Sequence, residues 1–126
     1  MLRPVALVAA LTIASPAADA RAQEADDGWF AHDKALHFGA SAAITMVGYA
    51  GASAATDHRP TRRVAAVLLG LTAGVTKEVW DAFGACDASW RDLAWDVIGT
   101  ATGVLVAAGI DWLYQRLSQP SVADAR

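Results

Sequence analysis

Apolar positions come in long, alanine-rich runs separated by short polar breaks, and nowhere do apolar and polar residues alternate. A strand with one wet face needs that alternation, so the pattern predicts helices alone. Three are expected. The first covers 33–55, rich in Ala, Gly and Ser, and stops at Asp57-His58-Arg59-Pro60, because the residue before a proline avoids the helical region. The second covers 62–83, with Thr61 as its N-cap, and stops at Gly84-Ala85-Cys86-Asp87-Ala88. The third covers 89–117. Ser89-Trp90-Arg91-Asp92 opens it with the spacing of a capping box, and Gln119-Pro120 closes it. The expected fold is an all-α three-helix bundle over 33–118, between an acidic linker at 23–32 and a polar tail at 119–126.

The segment ahead of the linker has another pattern. Met1-Leu2-Arg3 is followed by an apolar core and then by Ala-x-Ala sequences ending at Ala20 and Ala22. One early positive charge, a short apolar core and a small-residue ending are the marks of a cleavable secretory signal, here 1–22. The core is about 11 residues, too short to cross roughly 30 Å of hydrocarbon. Removal of 1–22 takes away Arg3, Arg21 and Asp19 and leaves 8 basic and 12 acidic side chains. That acidic balance excludes a nucleic-acid partner, whose phosphates demand a basic face. Cys86 is the only cysteine, so no internal disulfide forms.

Whether the helices cross a membrane depends on where charges interrupt them. Residues 35–56 contain His37 as their only Asp, Glu, Lys, Arg or His, a run long enough to span. The uncharged parts of the other two, 64–76 and 97–110, cover only about 20 Å at 1.5 Å per residue. Two readings therefore stand: a membrane-embedded bundle whose helix-end charges dip into the membrane edge, or a peripheral periplasmic bundle. Charge placement favours the first. With an exported N-terminus, His58, Arg59, Arg62, Arg63, Arg116 and Arg126 all fall on the cytoplasmic side, as the positive-inside rule expects. Gly70 and Gly74, and Gly99 and Gly103, supply small faces for close packing of membrane helices. Trp80, Trp90, Trp95, Trp112 and Tyr114 near helix ends read as interfacial anchors.

That topology gathers ionisable groups at the outer ends of the helices. Asp33, Lys34 and His37 open the first; Lys77, Glu78 and Asp81 close the second; Arg91, Asp92 and Asp96 open the third. At 100° per residue, Gly70, Gly74, Lys77 and Asp81 fall within about 60° of one another, and so do Asp92, Asp96, Gly99 and Gly103. A charge on such a packing face costs about 2.5–3.5 kcal/mol near membrane depth, so it persists only if paired or useful. Plainer roles are open to several. Asp92 fits the capping box with Ser89, Asp33 suits the first turn of a helix, and Lys77 suits the last turn. Lys77 and Asp81 also form an i,i+4 pair. His37 and Asp96 lie deeper in apolar sequence and are harder to dismiss.

Three motifs carry a resemblance. Asp33-Lys34-x-x-His37-Phe38-x-x-Ser41, Lys77-Glu78-x-Trp80-Asp81 and Ser89-Trp90-x-Asp92-Leu93-Ala94-Trp95-Asp96-x-x-Gly99 resemble the YfiM-type envelope lipoproteins and, more distantly, the VanZ-like membrane proteins. The resemblance covers about 29–105 and implies an envelope location without implying an activity. The chain departs from the first group in having no lipid-attachment cysteine at its mature N-terminus, and from the second in Asp96, where those proteins tend to show Asn.

The residues thus point to a small exported inner-membrane protein, its ionic cluster facing the periplasm in a structural or ligand-binding role without a cofactor. Membrane lipid is the expected partner, together with an envelope protein or a lipid-linked ligand. The alternative is a hydrolase or transferase acting on a lipid or cell-wall precursor. Excess carboxylates beside His37 would there hold a divalent cation, Mg²⁺ or Mn²⁺, that activates water.

Overall fold

The computed structural model describes residues 28–85 and 88–119, and the expectations about 1–22, most of the linker, Cys86 and the tail beyond Gln119 lie outside them. Three helices and no strand make up the described residues: α1 (His32–Ala55), α2 (Arg59–Trp80) and α3 (Trp90–Ser118). The all-α bundle is the expected one, with two local corrections. The second helix begins at Arg59 rather than 62, with His58 and not Thr61 as N-cap and Pro60 in its first turn. A missing N–H and a fixed φ are harmless there. At the other end α2 runs into one wide turn, Asp81–Ala85, where Gly84 adopts φ 122°. That left-handed backbone is open to glycine at little cost.

The third helix corrects its expected cap. Ser89 is the extended N-cap residue, but its side chain makes no capping hydrogen bond. Its backbone N–H donates instead to Glu78 Oε2 of α2 at 2.8 Å. Asp92, the expected reciprocal partner, is turned into the bundle and buried. A long-range carboxylate thus does what a local one was expected to do, and Asp92 is released for other contacts.

The packing is inverted relative to a water-soluble bundle. The buried positions of α1 are Lys34, His37, Ser41, Thr45, Tyr49 and Ser53. Those of α2 are Arg62, Ala66, Gly70 and Gly74. Those of α3 are Asp92, Asp96, Gly99, Thr100, Gly103 and Asp111. Each set recurs every three or four residues, so each is a single stripe on its helix. The three stripes meet in a seam of polar and small side chains. Leu36, Val47, Leu68, Leu69, Val75, Val79, Val97, Ile98, Leu105, Val106 and Leu113 are exposed on the outside.

Small residues let the backbones approach. A Cβ on Gly99 would lie 2.3 Å from the carbonyl oxygen of Phe38, and one on Gly103 2.5 Å from that of Ala42. α1 and α3 therefore touch main chain to main chain at these positions, which only glycine permits. Gly70 and Gly74 leave room for side chains rather than backbone, Thr45 and Thr100 at the first and Asp96 at the second. α1 packs on both partners, more extensively on α3.

Candidate functional site

One end of the seam gathers α1's first turns, α2's last and α3's first. His37 is its centre, 5% exposed. Nδ1 lies 3.2 Å from Asp96 Oδ1. Nε2 faces two other carboxylates, Asp92 Oδ2 at 3.6 Å and Asp33 Oδ1 at 3.7 Å. Ser41 Oγ donates to the same Asp96 Oδ1 at 2.6 Å. Lys34, 2% exposed, places Nζ 2.5 Å from Asp92 Oδ1 and 3.1 Å from Asp33 Oδ2. In a low-dielectric interior such a lysine must be paired, and here two carboxylates share it.

Glu78 joins this core from α2. One oxygen each from Glu78 and Asp96 and a ring nitrogen of His37 lie within 4.8 Å of one another. Glu78 Oε1 and Asp96 Oδ2 are buried and accept no hydrogen bond. Lys77 and Asp81 are peripheral. Lys77 Nζ binds Asp81 Oδ2 at 2.6 Å with half of its side chain exposed, and Glu78 Oε1 is 3.8 Å away. Arg91 turns from the cluster's centre towards a cap of aromatic rings, its guanidinium 5.9 Å from Trp29 and 5.8 Å from Trp90.

Of the nine site residues expected from sequence, six therefore converge: Asp33, Lys34, His37, Glu78, Asp92 and Asp96. Lys77 and Asp81 pair at the rim, and Arg91 packs on tryptophans. Trp95 also differs from an interfacial anchor. Its Nε1 donates to the carbonyl of Trp29 at 2.9 Å, and its ring meets Phe30 and Phe38 edge-on. Trp80, Trp90, Trp112 and Tyr114 remain exposed near helix ends.

The opposite end of the seam holds a second buried cluster that the sequence reading did not single out. Arg62, 4% exposed, binds Asp111 Oδ2 at 3.1 Å, Asp57 Oδ1 at 2.9 Å and the Thr56 carbonyl at 2.7 Å. Tyr49 donates its hydroxyl to Asp111 Oδ2 at 3.0 Å, and Gln115 Nε2 donates to Asp111 Oδ1 at 3.0 Å. Arg59 reaches Gln115 across the helix ends. A cleft of about 340 Å³ opens here between Ser53, Arg62, Asp111 and Tyr114. The signal was present in the sequence: Tyr49 continues the stripe of His37, Ser41 and Thr45, and Asp111 that of Asp96 and Gly103.

Chemically, the described residues of the His37 end offer carboxylates, an imidazole, a paired lysine and the Ser41 hydroxyl, which donates to Asp96. Among the described residues, two sets could hold a cation, Asp33 with His37 and Asp92, and His37 with Glu78 and Asp96. No protein-family model, curated protein or solved structure matches the chain, so the likeness to the YfiM-type and VanZ-like proteins rests on the three motifs alone.

Proposed function

We propose that this chain is a small membrane-embedded protein of the cell envelope, exported by a cleaved signal. Its buried ionic cluster ties three helices together and offers a binding site towards the periplasm. The observation that carries this reading is the inversion of the bundle: ten polar or charged residues are buried, whereas large aliphatic side chains line the outside. In water that arrangement leaves large apolar faces exposed, which is costly; in lipid those faces meet hydrocarbon, and the charges, costly in either medium, are turned inward and paired.

The objection that the second and third helices are too short loses its force on this reading. Asp92, Asp96 and Asp111 point into the seam and Lys77 stands half-exposed at the rim, so apart from Lys77 the outer face stays apolar beyond the uncharged run. On α2 it extends from Val64 to Trp80, about 25 Å, and α3 at 29 residues measures about 43 Å. Among the described helices α3 alone, and not α1 as expected, is long and apolar enough by composition to cross a membrane. The exposed basic residues Arg59, Arg63 and Arg116 lie at the Arg62 end, which supports a cytoplasmic position for it and a periplasmic one for His37.

Membranes from cells making the protein test this directly. It should stay in the pellet on carbonate extraction, and release to the supernatant would remove the membrane reading. Orientation follows from Ala88→Cys and Thr61→Cys, each in a Cys86→Ser background. An impermeant maleimide added to spheroplasts should label the first and spare the second.

A further inference from the structure

We infer that His37, Glu78 and Asp96 form a site for one divalent transition-metal cation, Zn²⁺ or Mn²⁺. The inference concerns the cluster just described but does not depend on the bundle spanning a membrane. Three observations carry it.

The first is a pair of buried carboxylate oxygens without hydrogen bonds, of which Glu78 Oε1 has only the half-exposed Lys77 Nζ near it at 3.8 Å. Asp96 is 3% exposed, and its Oδ2 accepts no hydrogen bond; neither does the buried Oε1 of Glu78. An unmatched buried carboxylate oxygen is costly, and a cation is the partner that satisfies several at once. Oxygens of these two residues come within 4.8 Å of each other and of a His37 nitrogen, one donor from each helix. Zinc–nitrogen and zinc–oxygen bonds of about 2.0–2.2 Å require the donors to close by up to about 1.5 Å.

The second is the surroundings of His37. Nδ1 faces Asp96, whereas Nε2 faces the carboxylates of Asp92 and Asp33. A metal-bound histidine usually donates its other ring N–H to a carboxylate, which fixes the tautomer and turns the free lone pair to the metal. Without metal, Nδ1 donates to Asp96 Oδ1 at 3.2 Å; a bound cation would take the Nδ1 lone pair in place of that proton and leave Nε2–H towards Asp92 and Asp33. The rival set of Asp33, His37 and Asp92 would also leave a ring N–H on a carboxylate, Asp96, but Lys34 Nζ already pairs both of its carboxylates.

The third is charge. Among the described residues, Asp33, Glu78, Asp81, Asp92 and Asp96 stand against Lys34, Lys77 and Arg91, an excess of two negative charges at this end of the bundle with His37 neutral. A single divalent cation cancels it. The imidazole in the donor set favours Zn²⁺ or Mn²⁺ over Mg²⁺ or Ca²⁺, which prefer oxygen alone.

The test is metal analysis and thermal unfolding of the detergent-purified full chain, dialysed against Zn²⁺ or Mn²⁺. Wild type should retain one equivalent of metal and unfold at a higher temperature with it than after chelation. Glu78→Gln, whose carboxylate lies at the edge of the core, should fold and lose at least about tenfold in affinity; Asp96→Asn should lose as much. Asp33→Asn should lose less than either. Folded wild type without stoichiometric metal overturns the inference, and so does Glu78→Gln binding as tightly as wild type. A protein that carbonate releases but that binds metal refutes the membrane reading and leaves this one standing.

Discussion

The two ends of the seam are built from the same kinds of side chain and differ in how completely they are matched. At the Arg62 end every buried polar side-chain atom among the described residues has a partner. Asp111 takes Arg62 and Tyr49 on one oxygen and Gln115 on the other, and Arg62 spends its remaining donors on Asp57 and the Thr56 carbonyl. At the His37 end, Glu78 and Asp96 each keep an oxygen without a hydrogen bond, and negative charge exceeds positive. Burying a saturated ion pair gives specificity of packing; an unsaturated one stores free energy that a ligand can recover. The first end reads as a clasp and the second as a site.

Substitutions at equivalent positions should expose this difference. Arg62→Met strands Asp111 in the seam, and breaking a buried pair in this way costs about 3–5 kcal/mol. Unfolding of the purified protein in detergent would measure it, and a loss below about 1 kcal/mol would mean that the clasp holds nothing together. Removing the acid gives the sharper contrast. Asp111→Asn leaves the Arg62 guanidinium with the exposed Asp57 as its remaining carboxylate and should cost about 2–3 kcal/mol. Asp96→Asn removes one charge from an end with too many and should cost less than about 1 kcal/mol in metal-free protein. If Asp96→Asn proves the more damaging of the two, the distinction between the ends fails.

The fold was legible because polar and small residues recur every three or four positions on each helix while the positions between are apolar. A stripe of that period on an alanine-rich run has one structural meaning. The His37 end was legible for the same reason, since its charges cluster near three helix ends. The Arg62 end was hidden by a boundary. Pro60 placed the start of the second helix at Arg62 itself, so that arginine was counted with the charges of the first loop, although the helix begins at Arg59. Asp111 looked like the residue that ends an uncharged run, because a linear count of charges does not show which way a side chain faces. The divided roles of Lys34 and Lys77 were equally invisible. Both stand beside acids in sequence, yet one is 2% exposed and the other has half of its side chain in solvent.

A mid-seam position tests whether an unmatched hydroxyl matters as an unmatched carboxylate does. Thr100 Oγ1 is buried without a hydrogen bond, above Gly70. Its desolvation is not offset, so Thr100→Val, which keeps the shape and removes the hydroxyl, should be neutral or stabilising by up to about 1 kcal/mol. A loss of stability on that change would mean that the hydroxyl is engaged after all, and that the seam is a connected polar path rather than two clusters with an inert middle.

The smallest effect is expected at the rim. Lys77 pairs with Asp81 at 2.6 Å, but half of its side chain is exposed, and solvent screens such pairs to about 0–1 kcal/mol. Lys77→Ala should therefore leave stability almost unchanged. It also removes the positive charge 3.8 Å from Glu78 Oε1, and that charge opposes any cation bound there. If the His37 end is a site, the variant binds Zn²⁺ or Mn²⁺ more tightly than wild type while unfolding at a similar temperature without metal. If that end is a second clasp, the variant keeps its stability all the same and gains no affinity. The affinity change thus separates the two descriptions, and metal titration beside thermal unfolding reads it.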